Sequence, residues 1–158
     1  MSQSIRTADI ESFTRHCREH GMKITLQRVA IYRYLMESGA HPSTDDVFQA
    51  LRDDFPGLSF DTINRTLMTF YQTGLIDIVE SRTGVRRFDA NMGSHSHMHC
   101  VSCGAMFDID DPLPDHGCLP QADASGFELL GKNVVFRVIC PTCRSSEGRS
   151  LRDGSAWK

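Results

Sequence analysis

The sequence predicts an α+β fold in two parts, helical as far as Gly74 and rich in short strands beyond it. Three observations predict this. Apolar residues recur at helical spacing in the first part, the period then changes towards two, and two C-x-x-C pairs bracket the second part.

The helices follow in order. Ile10, Phe13 and Cys17 mark one apolar face between Asp9 and His20, and Gly21 supplies a stop. Thr25 caps a second helix, "LQRVAIYRYLMES", closed by Gly39. Ser43 and Asp46 stand at the spacing of a capping box that opens a third helix through Val47 and Leu51, broken at Pro56-Gly57. Ser59 caps "FDTINRTLMTFYQT", with Ile63, Leu67 and Phe70 as its apolar stripe and Gly74 as its stop. Two strands, 75–80 and 85–91, are joined by the turn "SRTG". Helices followed by such a hairpin form the pattern of a winged helix, assigned here to residues 1–88. Residues 89–94, ending in "NMGS", read as a hinge, and 95–146 as a small α/β domain with strands at "MHCVSC", "AMFDID", "FELLG" and "NVVFRVIC". A short helix is expected within "PLPDHGCLPQADASG", and residues 147–158 as a disordered tail.

Composition sets the limits. A chain of 158 residues makes one ordinary domain or two small ones, and a fold of this size buries roughly 70% of its unfolded surface without staples. No apolar run approaches the roughly 20 residues of a membrane span, and the N-terminus lacks a signal-peptide core, so a cytoplasmic protein with no membrane partner is expected. The net charge of −3 gives no global attraction to nucleic acid, so any such binding must come from a local cluster.

Four of the six cysteines form the pairs Cys100/Cys103 and Cys140/Cys143. In a reducing compartment this spacing reads as a metal site, since each knuckle offers two thiolates from one turn and two knuckles close a tetrahedral zinc cage. Such a cage has no open position and is structural. Cys17 and Cys118 read as small buried hydrophobes.

The histidines of "HSHMHCVSCG" are left over. Residues two apart on a strand share a face, so His95 and His97 converge while Cys100 faces away. His99 has the same parity and is left out, because strand twist carries a third ligand off the ion. Asp89 and Asp108 are nearby carboxylates, and His41 can lean in from the first part. This nitrogen and oxygen set suits iron(II), manganese(II) or cobalt(II) better than a thiolate-seeking ion. His16, His20 and His116 are expected to be hydrogen-bonded surface residues.

Taken together, "GMKITLQR" (21–28), "HPSTDDVFQAL" (41–51), "LSFDTINRTLMTFYQTGLI" (58–76), "RFD" (87–89), "HSHMHCVSCG" (95–104) and "CPTC" (140–143) resemble the ferric uptake regulator (Fur) family of metal-dependent repressors. The resemblance spans nearly everything from Asp9 to Cys143. It implies a winged-helix DNA-binding domain, a dimerisation domain with structural zinc, and a homodimer that binds a palindromic double-stranded operator when the regulatory metal is present. The ligand types are similar to the peroxide-sensing (PerR) branch, whose site matches His41, Asp89, His95, His97 and Asp108 position by position. There iron(II) or manganese(II) is the regulatory metal, and the resemblance points to His41 and His95 as the histidines that peroxide oxidises when iron is bound. The alternative within the family is an iron- or manganese-responsive repressor without peroxide sensing.

Two departures stand out. A further family metal site falls here on Ser94, Ser96 and Lys132 and is not expected. The usual operator-contacting tyrosine is Asn64, which changes the expected operator. Lys23, Arg28 and Arg33 form a local basic cluster suited to phosphates, and the candidates for DNA contact are Lys23, Arg28, Thr62, Asn64 and Arg65. A metalloenzyme is a rival reading, but no general base or substrate motif accompanies the site, so neither catalysis nor a small-molecule substrate is expected. A plain zinc-knuckle interaction module leaves His41, Asp89 and Asp108 without a role.

Overall fold

Local chemistry sets the helix boundaries. In the computed structural model, which describes residues 7–80, 84–93, 95–109 and 134–147, α1 spans Thr7–Glu19. Gly21 takes the left-handed φ of 64° that turns the chain after it. Helix α2 (Leu26–Ser38) is capped by Thr25, whose hydroxyl accepts from the Arg28 amide at 3.3 Å, and is closed by left-handed Gly39.

Helix α3 (Thr44–Leu51) opens with the expected capping box: Asp46 N–H donates to Ser43 Oγ at 3.2 Å, and Ser43 N–H to Asp46 Oδ2 at 2.8 Å. It ends before the expected break at Pro56. The Phe55 amide donates back to Leu51 and the Leu58 amide to Phe55, a turn already in place when the proline is reached. Helix α4 (Phe60–Gln72) is capped by Ser59 and buries Ile63, Leu67 and Phe70 completely.

Strands β1 (Asp77–Glu80) and β2 (Arg86–Asp89) pair antiparallel, from Asp77 opposite Asp89 to Glu80 opposite Arg86. Both strands are shorter than the expected 75–80 and 85–91. Leu75 and Ile76 lie ahead of β1 and are buried in the core, where packing rather than strand pairing accounts for them. Asp89 closes β2, so the first residue of the segment expected as a hinge, 89–94, belongs to the strand.

The chain divides into two compact units, Met1–Ser94 and His95–Lys158. The first has one core in which Phe13 stacks on Tyr32 at 4.7 Å and meets Phe70 edge-on at 5.8 Å. Cys17 is fully buried in that core, as expected, and burial pushes its thiol pKa up. In the second unit, β3 (Ser96–Cys100) lies between β4 (Met106–Ile109), antiparallel, and β5 (Val135–Val138), parallel.

Helix α5 (Pro141–Glu147) has no counterpart in the sequence reading. It is short and polar, with no apolar stripe to announce it, although proline is well suited to a first helical position. The 81–83 turn, the expected strand "FELLG", the expected short helix, Ser94, His116, Cys118, Lys132 and the tail from 148 onwards lie outside the described residues.

Candidate metal centres and nucleic-acid face

The four cysteines converge within the second unit. Cys100 ends β3, Cys103 follows in its turn, Cys140 precedes α5 and Cys143 lies in that helix's first turn. Their sulfurs lie within 4.8 Å of one another. Four sulfurs about 2.3 Å from one tetrahedral zinc stand about 3.8 Å apart, and Cys103 Sγ to Cys140 Sγ is 3.8 Å. The Cys140 amide donates to Cys100 Sγ at 3.2 Å, the kind of N–H that stabilises a thiolate. Burial works against ionisation of Cys100, but N–H groups of Cys103, Cys140 and Ser102 outweigh it and bring its pKa down to about 6. Cys143 goes the other way: a Ser102 hydrogen bond lowers it, while those with Cys140 and Cys103 prevail and push it up to about 12. Geometry and donor chemistry both fit one zinc ion.

His41 is built into the first unit by strand-like pairing. The Phe88 amide donates to Pro42 O at 3.0 Å, Ser43 bridges to Arg87, and Arg87 Nη1 donates to His41 O at 3.0 Å. Residues 41–43 thus lie along β2. His41 holds a left-handed φ of 50°, rare for a non-glycine residue and costing of order 1–3 kcal/mol. Its Nε2 stands 3.5 Å from Asp89 Oδ2, with both side chains buried.

In the second unit, register brings the expected ligands together. His97 sits directly opposite Asp108 in the antiparallel ladder, so both side chains emerge on one face. His95 Nε2 is 2.9 Å from His97 Nε2, and the two stand 3.7 and 3.9 Å from Asp108 Oδ1. Octahedral ligands about 2.1 Å from one ion are separated by about 3.0 Å when cis and about 4.2 Å when trans. The separations within each unit fall at or near this range. Imidazole and carboxylate together form a donor set that suits iron(II) and manganese(II). His99 is buried on the same strand, and its Nε2 has no hydrogen-bond partner among the described residues.

The DNA-contact candidates lie on two grooves that flank α4. One, of about 650 Å³, is lined by Lys23, Arg28, Thr62, Arg65 and Thr69. Arg28 Nη1 donates to Lys23 O at 2.8 Å, and the Thr62 hydroxyl is shared with the capping Ser59 at 2.9 Å. The other, of about 420 Å³, is lined by Thr44, Asp45, Phe60, Asn64 and the wing residue Arg86. Here Thr44 Oγ1 donates to Asn64 Oδ1 at 3.4 Å. Arg33 is paired with Glu37 along α2. His20 Nδ1 meets His16 O at 3.0 Å and the two rings stack, so His20 is locally satisfied as expected, whereas the His16 ring is half-buried and its Nε2 has no hydrogen-bond partner among the described residues. Three contributors escaped the sequence reading: Arg87, Thr44 and Asp61, which lies 3.8 Å from Arg65. Only the i,i+4 spacing of Asp61 and Arg65 was visible in one dimension.

Residues 19–142 match the model of the ferric uptake regulator family. The chain belongs to the ferric uptake regulator family. Among its curated relatives, it is 38% identical over 136 residues to the peroxide-responsive repressor PerR of Staphylococcus aureus strain USA300, covering 86% of this chain and 92% of that protein. It is 33% identical over 130 residues to the peroxide operon regulator of Bacillus subtilis strain 168, covering 82% and 90%. Among solved structures, this ferric uptake regulator family member is similar to the Pseudomonas aeruginosa ferric uptake regulator with manganese: TM-score 0.64, 30% identity, 81% of this chain and 97% of that one. It also resembles PerR from Streptococcus pyogenes, with a TM-score of 0.51 and 25% identity over 90% and 96% of the two chains. Among the described residues no helix is long and apolar enough to cross a membrane.

Proposed function

We propose that this chain is a homodimeric, metal-dependent transcription repressor of the peroxide-responsive kind. In this reading Cys100, Cys103, Cys140 and Cys143 hold structural zinc, and His41, Asp89, His95, His97 and Asp108 hold one regulatory iron(II) or manganese(II). The observation that carries the reading is the cluster of His95, His97 and Asp108 at 2.9–3.9 Å, a borderline-ion donor set with no thiolate in it. His41 and Asp89 add a second pair of the same chemistry. Two carboxylates balance a dication when the imidazoles are neutral, and five protein ligands leave an octahedral ion one open position.

An ion ligated from both units restricts the angle between them. In a dimer, that angle governs the spacing of the recognition helices on two half-sites. Moving such an equilibrium from 1:99 to 99:1 takes about 5.5 kcal/mol of differential metal binding, within what two ligands of five contribute. The groove beside α4 provides Lys23 and Arg28 for phosphates, and α4 itself offers Thr62, Asn64 and Arg65 to the operator. Support for a second copy comes from the sheet of the second unit. Phe107 and Phe136 flank Met98 in register, 41% and 39% exposed, forming an apolar row on one face.

Iron(II) at this site supplies one-electron reduction of hydrogen peroxide, which manganese(II) does not. The imidazoles of His41 and His95 are the side chains through which that signal is read, because an oxidised ring is a poorer ligand and loosens the clamp. The test is a duplex footprint of the iron and manganese forms before and after peroxide, with peptide mass spectrometry. Iron-dependent addition of oxygen to His41 or His95, with loss of the footprint, supports the reading. Oxidised Cys100 or Cys103 with intact histidines replaces it by a thiol switch. A footprint that needs metal but ignores peroxide leaves a repressor responsive to iron or manganese alone.

A further inference from the structure

The outward crest of α4 carries a carboxylate on a surface proposed to meet a polyanion. Ile63, Thr66, Leu67 and Phe70 face the core, and Asn64 is drawn towards α3 by Thr44. The crest between the two grooves begins with Asp61 and Arg65, whose side chains are 75% and 80% exposed. Asp61 Oδ2 stands 3.8 Å from Arg65 Nη1, one helical turn away. Every phosphate repels Asp61, so its place on this crest calls for a donor that faces it.

We propose that Asp61 is a specificity-determining residue, forming with Arg65 a row of donors and acceptor that reads one G·C pair in the major groove. The assignment rests on the DNA-binding reading above. Across that groove a G·C pair presents N7 and O6, both acceptors, and then the cytosine N4 amino group, a donor. Arg65 offers a fork of donors and Asp61 only acceptors, so the pair matches this row in order. An A·T pair presents acceptor, donor, acceptor. There the carboxylate meets the lone pairs of N7 or O4 on either side of the one amino group. The exposed ion pair is weakly held in the free protein, so both side chains can open onto base edges. Asp61 also sits in the first turn of α4, where the helix dipole favours an acid. A role confined to that dipole would change stability without changing base preference.

The experiment selects bound duplexes from a randomised library with the full-length, zinc- and manganese-loaded protein, for wild type, Asp61→Ala and Arg65→Ala. Thermal midpoints check that each variant is folded. The expected wild-type preference includes a G·C pair at one position of each half-site. Asp61→Ala should flatten the preference at that pair by about 5- to 150-fold while the other positions keep theirs, and Arg65→Ala should flatten the same pair. An unchanged preference in Asp61→Ala, or uniformly tighter binding to every sequence, overturns the assignment and reduces Asp61 to a repelling charge. Failure of the wild type to bind any duplex overturns the DNA-binding reading and this assignment with it, an outcome distinct from binding with unaltered preference.

Discussion

Replacing Cys140 by serine tests the proposed zinc cage at a buried junction. Cys140 is 5% exposed, lies 3.8 Å from Cys103 Sγ, and its own amide donates to Cys100 Sγ. Among the described residues, the buried apolar side chains of the second unit are Cys100, Met106 and Cys140, two of them proposed ligands. A single buried methionine contributes about 1.5–3 kcal/mol, whereas structural zinc in small domains contributes roughly 10–16 kcal/mol. Among the described residues, bound zinc would therefore be the larger part of what holds these strands together. Loss of even a third of that, about 3–5 kcal/mol, is comparable with the whole stability of a small domain. Cys140→Ser should lose its zinc and give a second unit that unfolds at lower urea than the wild type, with the dimer lost alongside. The assay is metal content per chain, with urea titration and size-exclusion chromatography on the same samples. Cys17→Ser is the control: it places a hydroxyl in the first unit's core and should cost about 1–3 kcal/mol there with full zinc content. A stable Cys140→Ser dimer with one zinc per chain would refute the four-ligand assignment.

Further outcomes follow from the same geometry. His97→Ala should abolish metal-dependent binding to the operator while leaving structural zinc in place, checked by footprinting with manganese and by metal content. Asp46→Ala removes the α3 capping box and should cost about 0.5–2 kcal/mol, read as a shift in the urea midpoint. Burial alone would raise the Asp46 pKa, but Ser43's hydrogen bonds and nearby Arg87 hold it below the ordinary carboxylate value. A depressed folded pKa means that this stabilisation is full above the unfolded value near 3.8 and fades as pH falls through the folded value. Acid titration of Asp46→Asn should lack that component. Asn64→Tyr should change which operator is preferred more than how tightly DNA is held, and equal losses on all duplexes would make Asn64 a structural contact. Thr44→Val, which removes the donor 3.4 Å from Asn64 Oδ1, should shift the same preference in a milder form.

Much of this protein was readable in one dimension, because capping and periodicity are local. Thr25, Ser43 and Ser59 each stand just before the helix they cap, and the glycines at 21, 39 and 74 turn the chain where helices end. The two C-x-x-C pairs announced a cage for the same reason: the spacing of two residues is itself the geometry of a knuckle. What one dimension lacked was register and cross-chain contact. Only pairing in the sheet sets His97 opposite Asp108, and only the run of residues 41–43 along β2 brings His41 beside Asp89. Helix α5 was missed because a short polar helix has no apolar stripe, and Leu75 and Ile76 were read as strand because a buried run looks alike in a ladder and in a core. Asn64 shows the same division. The sequence marks it as a polar residue on α4, while the structure turns its amide towards Thr44 and leaves Asp61 and Arg65 on the outward crest. Side-chain direction depends on what packs against each face of a helix, and that is decided in three dimensions.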